Sequence, residues 1–328
     1  MPRCADRSGL AKQKGKPMSR EAQILRIEKI SPNDGKGLRT VVFFKGCPLR
    51  CAWCSTPESR KMAPELYYQP AKCTSCGKCV EACPQKALHQ TGDTCRLIID
   101  RDKCRRCGRC AELCPSRALG VYGERMTVEQ VLKQILKDEI FYYHSGGGVT
   151  LSGGDVLCQA DFARELLAGC KDSGIHTMAE LDMFGDYERI AMLLPYLDAF
   201  YVDIKLMDNI QHQKWTGVDN RTILENTRRA AADSKPSALH IRVPLIWNIN
   251  DTPENIHAVA DYCENLASCA ELEFLPYHRL GQTTYAYLGQ EYPLAKLPAM
   301  SFSDACKKVS VLKDRSLSFP VKVSGKIL

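Results

Sequence analysis

Eleven of the eighteen cysteines in this 328-residue chain fall in three runs between residues 47 and 114. The first run, KGCPLRCAWC (45–54), spaces Cys47, Cys51 and Cys54 as C-x3-C-x2-C. It offers three thiols within reach of one centre, with no fourth Cys or His beside them. The next two are CTSCGKCVEACP (Cys73, Cys76, Cys79, Cys83) and CRRCGRCAELCP (Cys104, Cys107, Cys110, Cys114). They share one C-x2-C-x2-C-x3-C-P pattern and close on Pro84 and Pro115. Loops so dense in thiols must either bridge them or wrap them around metal. Disulfide frameworks belong to exported chains. The first twenty residues, MPRCADRSGLAKQKGKPMSR, are basic and lack the apolar stretch of a secretory signal. Tight, repeated C-x2-C spacing in a chain read as cytoplasmic therefore points to metal.

The twin runs match the bacterial 4Fe–4S spacing, in which the fourth Cys of each run serves the other cluster. One cluster then falls to Cys73, Cys76, Cys79 and Cys114, and the second to Cys104, Cys107, Cys110 and Cys83. Zinc prefers two well-separated pairs, not four cysteines in eleven residues. Gly77 and Gly108 occupy matching positions, where backbone is expected to approach the sulfides without a Cβ. The Cys47 run is one ligand short, so an iron–sulfur cube there keeps one iron open to a reacting ligand.

No run of about 18 apolar residues exists, so no membrane span is expected. The net charge of +7 reads as spread along the chain, without the basic block and interleaved aromatics of nucleic-acid binders; a mild attraction to acidic proteins is the economical reading. Residues 1–20 read as a disordered basic tail, with Met18 as an alternative start. After residue 118 short β-like runs alternate with amphipathic helices, the βαβ pattern of a parallel sheet. With TVVFFKG (40–46) before the inserted runs, the strands expected are 149–153, 176–181, 199–206, 239–246 and 271–277. Helices are expected over 160–174, 221–233 and 253–267.

The C-x3-C-x2-C run with an aromatic (Trp53) before its last Cys resembles the radical S-adenosylmethionine (SAM) superfamily. The resemblance implies an α/β fold, a partial (β/α)6 barrel, carrying an inserted two-cluster bacterial-ferredoxin-like domain. The expected divisions are 21–69 for the first part of the barrel, 70–118 for the insertion, and 119–328 for the remaining barrel and a C-terminal extension. It also implies that SAM chelates the open iron and is cleaved by one electron to a 5′-deoxyadenosyl radical. LSGGD (151–155) resembles the family's GGE stretch, which places Gly153, Gly154 and Asp155 at the SAM amino group, with the acid shortened and Val156 in the usual Pro position. As residues alone, the same stretch also reads as a strand-to-helix turn with Asp155 as N-cap. Glu180, Asp203, Lys205, Arg242 and His278 fall at strand ends, where such barrels gather function. The family places SAM carboxylate, ribose and sometimes a monovalent cation there. Glu180 and Asp203 suit such a cation, and an ion pair with Lys205 is the structural alternative.

DGKG (34–37), SGGGVTLSGGD (145–155), YVDIKLMD (201–208), RVPLIWNINDTPENI (242–256) and LPYHRLG (275–281) are similar to the activating enzymes of glycyl radical enzymes, over roughly residues 22–290. Membership implies a glycyl radical enzyme as protein substrate, with Asp34 and Arg39 as contacts to its glycine loop and flavodoxin or ferredoxin as electron donor. The partner types implied are an isethionate sulfite-lyase, a choline lyase or a diol dehydratase. A monomer is expected. The insertion is read as an electron relay, with a structural staple or docking surface as the alternative. Lys36 replaces the family's Pro, Leu181 and Asp182 replace its Thr-Ser, and Asn248 replaces a Gly. Asn tolerates positive φ, so that turn is expected to survive. A radical SAM enzyme acting on a small molecule is the alternative function.

Overall fold

The computed structural model describes residues 20–92 and 96–328. Of the basic tail expected over 1–20 only Arg20 is among them, and Cys4 and Cys95 also lie outside. The strands in chain order are β1 (Glu21–Ser31), β2 (Arg39–Phe44), β3 (Glu65–Tyr68), β4 (Leu88–Gln90), β5 (Leu97–Ile99), β6 (Leu119–Tyr122), β7 (Glu124–Thr127), β8 (Gly148–Gly153), β9 (His176–Leu181), β10 (Ala199–Asp203), β11 (Leu239–Leu245), β12 (Glu271–Pro276), β13 (Val321–Val323) and β14 (Lys326–Ile327). Ten of them form one sheet in the order β14-β13-β12-β11-β10-β9-β8-β2-β1-β7. The six strands expected from sequence are β2 and β8–β12. They lie parallel and adjacent in chain order. The sheet is wider than expected: β1 and β7 add antiparallel strands at one edge, and β13 and β14 extend the other.

The two faces of the parallel strands differ in chemistry because side chains alternate. One face presents Val42, Phe44, Val149, Leu151, Ala179, Val202, Ile241, Leu272 and Phe274 to the main hydrophobic core. Helices cover it. In Ala160–Asp172 the buried positions Phe162, Ala163, Leu166, Leu167 and Cys170 recur at helical spacing. Arg221–Asp233 and Pro253–Glu264 do the same, the latter started by Thr252, whose hydroxyl accepts from the Asn255 amide. The opposite face carries Arg39, Thr150, Ser152, Glu180, Tyr201, Asp203, Arg242 and Glu273. Burial on both faces is what an all-parallel segment requires, but here the second face is largely polar and its groups pair with one another.

The inserted cysteine runs leave the barrel through a narrow neck. β3 and β6 pair antiparallel with Tyr68 opposite Leu119, so residues 69–118 depart and return at one point. Tyr67 and Tyr122 stack on this ribbon with ring centroids 4.4 Å apart. Inside, two halves repeat at a 31-residue shift. Gly77 (φ 74°) precedes the helical turn Lys78–Glu81, and Gly108 (φ 78°) precedes Arg109–Glu112. Ser75 and Arg106 share a left-handed backbone (55° and 58°), as do Lys86 and Arg117 (49° and 53°). The glycines are required by that positive φ; a Cβ on Gly77 would meet no protein atom nearer than 3.7 Å. The close approach expected at these positions is thus not to protein. Leu66, Tyr68, Leu88, Leu97, Cys110, Ala118 and Leu119 form a separate small core for the two halves.

Asp198 ties three elements together at the opposite end of the sheet. Its carboxylate accepts from Lys171 at 2.7 Å and from the Thr177 amide at 2.9 Å, joining helix Ala160–Asp172 to β9 just before β10 begins. Burial alone would raise this carboxyl, but the Lys171 and Thr177 hydrogen bonds outweigh it and hold it at about 2. Because the folded value lies below the unfolded one of about 4, the bonds stabilise the fold above that pH and the benefit disappears as pH falls toward 2. Asp198→Asn should therefore cost about 1 kcal/mol at neutral pH, allowing for partial exposure. In denaturant titrations the gap from the parent should narrow steadily below about pH 4.

Candidate active site and thiol-lined cavities

The C-terminal ends of the parallel strands surround a cavity of about 650 Å³. Its wall takes Phe43 from β2, Ser152 and Gly153 from β8, Glu180 and Leu181 from β9, Asp203 from β10, Pro244 from β11, and Leu275 and Pro276 from β12. For six strands to share one cavity the sheet must curl. The loop after β2 adds Cys47, Cys51, Trp53 and Cys54. The three thiols singled out from the sequence thus lie together at the C-terminal end of the parallel strands.

Backbone contacts fix that loop. The amides of Gly154 and Asp155 donate to the carbonyls of Phe44 (3.0 Å) and Gly46 (2.7 Å). The amides of Gly46 and Cys47 donate to Ser59 (2.6 Å) and Arg60 (3.0 Å). Arg60 donates to the Cys51 carbonyl at 2.5 Å and to the Tyr285 hydroxyl at 2.6 Å, which joins the loop to the segment after β12. A Cβ on Gly153 would collide with the Phe44 backbone, and one on Gly154 with the Gly46 carbonyl. The close approach expected of this glycine pair is therefore to the cysteine loop itself. Cys51 is buried and Cys47 and Cys54 are half-buried. Burial pushes the Cys51 thiol up to about 12 and raises Cys47 as well, so both are neutral in the bare protein.

Lys205 is the buried cation of this wall. It has Asp182 at 2.7 Å and Asp203 at 3.3 Å. Burial would lower its pKa, but the two carboxylates more than offset that and keep it charged. The second oxygen of Asp182 accepts from the Cys47 thiol at 3.3 Å. Asp182 is the site residue that sequence reasoning did not assign. Its signal was a departure from the family pattern, an acid where a hydroxyl is usual.

The remaining expected residues divide. Glu180, Asp203 and His278 line the cavity, His278 being exposed. Arg242 does not line it. Its guanidinium lies behind, between Glu180 (2.9 Å) and Glu273 (3.0 Å) and 3.4 Å over the Tyr201 ring. Ser152 donates to the other oxygen of Glu180. Asp155 is buried and absent from the cavity wall. One oxygen accepts from the Leu157 amide at 3.1 Å, the N-cap geometry, and the other is buried without a partner among the described residues. Burial, then the Asp182 carboxylate, push it up to about 8. Asp34 lines the cavity, but Arg39 cannot touch a partner. It is fully buried and donates to Thr150 (2.7 Å) and to the Val149 carbonyl (2.5 Å). Asn248 adopts φ 57°, the left-handed turn its amide side chain tolerates.

Two smaller cavities lie in the inserted segment. Cys73, Cys76, Cys79 and Cys114 line one; Cys83, Cys104, Cys107 and Cys110 line the other. This is the crossed grouping expected from the spacing, the fourth Cys of each run facing the other set. Among the described residues no three His, Cys, Asp or Glu side chains converge on a single-ion centre. The thiols stand around a volume, not a point.

Residues 41–260 match the Radical SAM superfamily. The chain is 43% identical over 279 residues to the (2S)-3-sulfopropanediol sulfolyase activating enzyme of Bilophila wadsworthia (strain 3_1_6), covering 84% of this chain and 91% of that protein. It is 38% identical over 310 residues to the choline trimethylamine-lyase activating enzyme of Oleidesulfovibrio alaskensis, covering 93% and 99%. Among solved structures, Streptococcus suis SuiB bound to precursor peptide SuiA superimposes with a TM-score of 0.53 at 12% identity, over 87% of this chain and 48% of that one; this likeness concerns the fold alone.

The Lys205–Asp182 pair generates a prediction of its own. Truncating one partner of a buried pair leaves an uncompensated charge, and Asp203 is too exposed to compensate fully. Asp182→Ala should destabilise the protein by about 3 kcal/mol, read by denaturant unfolding, whereas Asp203→Ala should cost less than half of that.

Proposed function

The chain belongs to the radical SAM superfamily and, within it, to the activating enzymes of glycyl radical enzymes, and from that membership we propose that Cys47, Cys51 and Cys54 hold a 4Fe–4S cluster on the cavity wall with SAM beside it. The observation that carries this is the meeting of three thiols, and among the described residues no fourth, with the charged Lys205 at a cavity of about 650 Å³, a volume suited to a small-molecule ligand. When bound, the cluster and SAM supply a one-electron reductive cleavage whose adenosyl radical takes hydrogen from a glycine Cα of the partner enzyme.

The chain's own residues then have definable tasks. Trp53, buried within the cysteine loop, lines the cavity beside Cys54. Gly153 and Gly154 leave room for the loop and offer backbone carbonyls to the SAM amino group. Asp155 acts from behind them by capping the Leu157 amide. Lys205, held by Asp182 and Asp203, places a positive charge beside the thiolates that a cluster requires. Glu180, kept in position by Arg242 and Ser152, and His278 at the exposed rim supply polar contacts to SAM. A monovalent cation joining Glu180 and Asp203 would have to displace Arg242 and Lys205 from those carboxylates. Asp34 borders the space left for the partner's loop. A glycine is the residue such a loop must present, because any Cβ would stand between the Cα and the radical.

We assign two further 4Fe–4S clusters to the inserted segment, 70–118. One is held by Cys73, Cys76, Cys79 and Cys114, the other by Cys83, Cys104, Cys107 and Cys110, in support of which each set lines one cavity. They relay electrons from flavodoxin or ferredoxin. The partner is a glycyl radical lyase or dehydratase of small molecules, in keeping with the relatives' names, and the setting is an anaerobic cytoplasm with the activase as a monomer. Among the described residues no helix is long and apolar enough to cross a membrane.

Anaerobically reconstituted protein should bind about twelve irons, three cubes of four. Cys47, Cys51 and Cys54 replaced together by Ala should lose about a third of the iron and all 5′-deoxyadenosine formation under dithionite. With its partner, the parent should generate a glycine-centred doublet in electron paramagnetic resonance and carry deuterium from the labelled glycine Cα into 5′-deoxyadenosine. Cleavage surviving in the triple variant overturns the cluster assignment. Deuterium arriving from a free metabolite, without a partner protein, moves the reading to a small-molecule substrate.

A further inference from the structure

The two halves of the inserted segment share a backbone but not a surface. Positions 74, 75 and 78 of the first half correspond, 31 residues on, to 105, 106 and 109 of the second, and all six are exposed. In the first half they are Thr74, Ser75 and Lys78. In the second they are Arg105, Arg106 and Arg109. None of the three arginines has a carboxylate within ion-pair distance among the described residues, whereas neighbouring Lys103 is satisfied by Asp100 at 3.0 Å. Arg105 and Arg106 stand at the cavity lined by Cys83, Cys104, Cys107 and Cys110, where Cys107 is itself exposed. The charge of the chain is also less evenly spread than it first reads. Residues 70–118 contain ten Lys or Arg against five Asp or Glu, so this short segment alone carries +5 of a net +7.

The guanidinium groups of Arg105 and Arg106, at one cavity with Arg109 close by in sequence, are replaced by the neutral Thr74 and Ser75 in the structural twin, which folds the same way without them, while Lys78 keeps a charge in place of Arg109. Resting on the assignment of clusters above, we propose that the Arg105–Arg106–Arg109 face is where the electron donor docks, and that the donor is a small redox protein with an acidic rim around its own centre. Like charges close together raise the potential of the free surface, and an acidic partner relieves it while gaining rate by steering. The transfer itself makes and breaks no bond: the donor is oxidised by one electron and the cluster nearest Cys107 is reduced by one. The same cavity reaches the neck of the insertion. Leu66 lines the same cavity, and its neighbour Glu65 faces the buried Lys45 at 3.9 Å, two residues before Cys47.

The test uses the reconstituted full chain and flavodoxin as probe. One variant carries Arg105→Gln, Arg106→Gln and Arg109→Gln; a control carries Lys72→Gln, Lys78→Gln and Lys86→Gln, removing the same charge from the first half. Affinity for oxidised flavodoxin is measured by calorimetry at low and moderate salt, and the rate of cluster reduction by stopped flow with reduced flavodoxin. The arginine variant should bind about tenfold more weakly at low salt with a flatter salt dependence, and its clusters should reduce correspondingly slower at sub-saturating donor. The lysine control should stay within about twofold of the parent. Equal losses in both variants, or none in either, overturn the docking site. Iron content separates the two levels of the argument. A parent that retains only about four irons defeats the inserted clusters themselves; one with about twelve and an indifferent arginine variant defeats only the docking face.

Discussion

The amide of Asp155 donates to the carbonyl of Gly46, and much of the functional architecture depends on that bond and its neighbours. A loop bearing three cysteines has little reason to hold one shape. Its residues are Pro, Leu, Arg, Ala and Trp between thiols, with no repeating hydrogen-bond ladder. Here the end of β8 continues the ladder past β2 and fastens the first turn of the loop, while Ser59 and Arg60 fasten it from the other side. Both sets of contacts require backbones to touch, which is why residues 153 and 154 have no Cβ. Placing the thiols is therefore a property of strand pairing, the most rigid element the fold possesses.

The second constraint is the polar inner face of the sheet. Burying Arg39, Lys205, Arg242, Glu180 and Glu273 would be prohibitive for isolated charges. They persist because each guanidinium or ammonium meets carboxylates or carbonyls at hydrogen-bond distance. Arg242 is shared between Glu180 and Glu273, Lys205 between Asp182 and Asp203, and Arg39 between backbone carbonyls and Thr150. The result is a chain of charges with fixed positions. Near the cavity it leaves Asp34, Glu58, Glu180, Asp182 and Asp203 against Arg26 and Lys205. That excess of negative charge in a basic protein favours a cationic occupant.

Much of this was legible in the sequence, for identifiable reasons. The six parallel strands are apolar runs bounded by turn residues, and their order follows from βαβ connectivity. The grouping of the eight inserted cysteines was legible because both runs match the C-x2-C-x2-C-x3-C-P pattern, and each expected set lines one cavity. β1 escaped because EAQILRIEKI is rich in helix formers, and only pairing with both β2 and β7 makes it a strand. β13 and β14 escaped for their brevity, although Ser324 and Gly325, with φ 45° and 78°, form the tight turn that joins them. Asp155 follows the end of β8 as expected, whereas Arg242, expected to end its strand, lies in the middle of β11, and which way either side chain turns depends on neighbours far away in sequence. Asp182 was visible only as an oddity, since its role needs Lys205 and Cys47 brought to it by folding.

The pairing of Tyr68 with Leu119 bears on how such a chain can change over time. Because the inserted segment leaves and re-enters through adjacent residues of one ribbon, the sheet experiences it as a loop whose ends are already closed. Lengthening, shortening or exchanging that loop alters closure entropy only logarithmically, and neither the strand order nor the cysteine loop at Gly46 is disturbed. The small core of Leu88, Leu97 and Cys110 belongs to the insertion and would travel with it. A barrel of this kind can thus acquire, lose or replace a cysteine-rich module as a single cassette, while the residues at the strand ends stay in register.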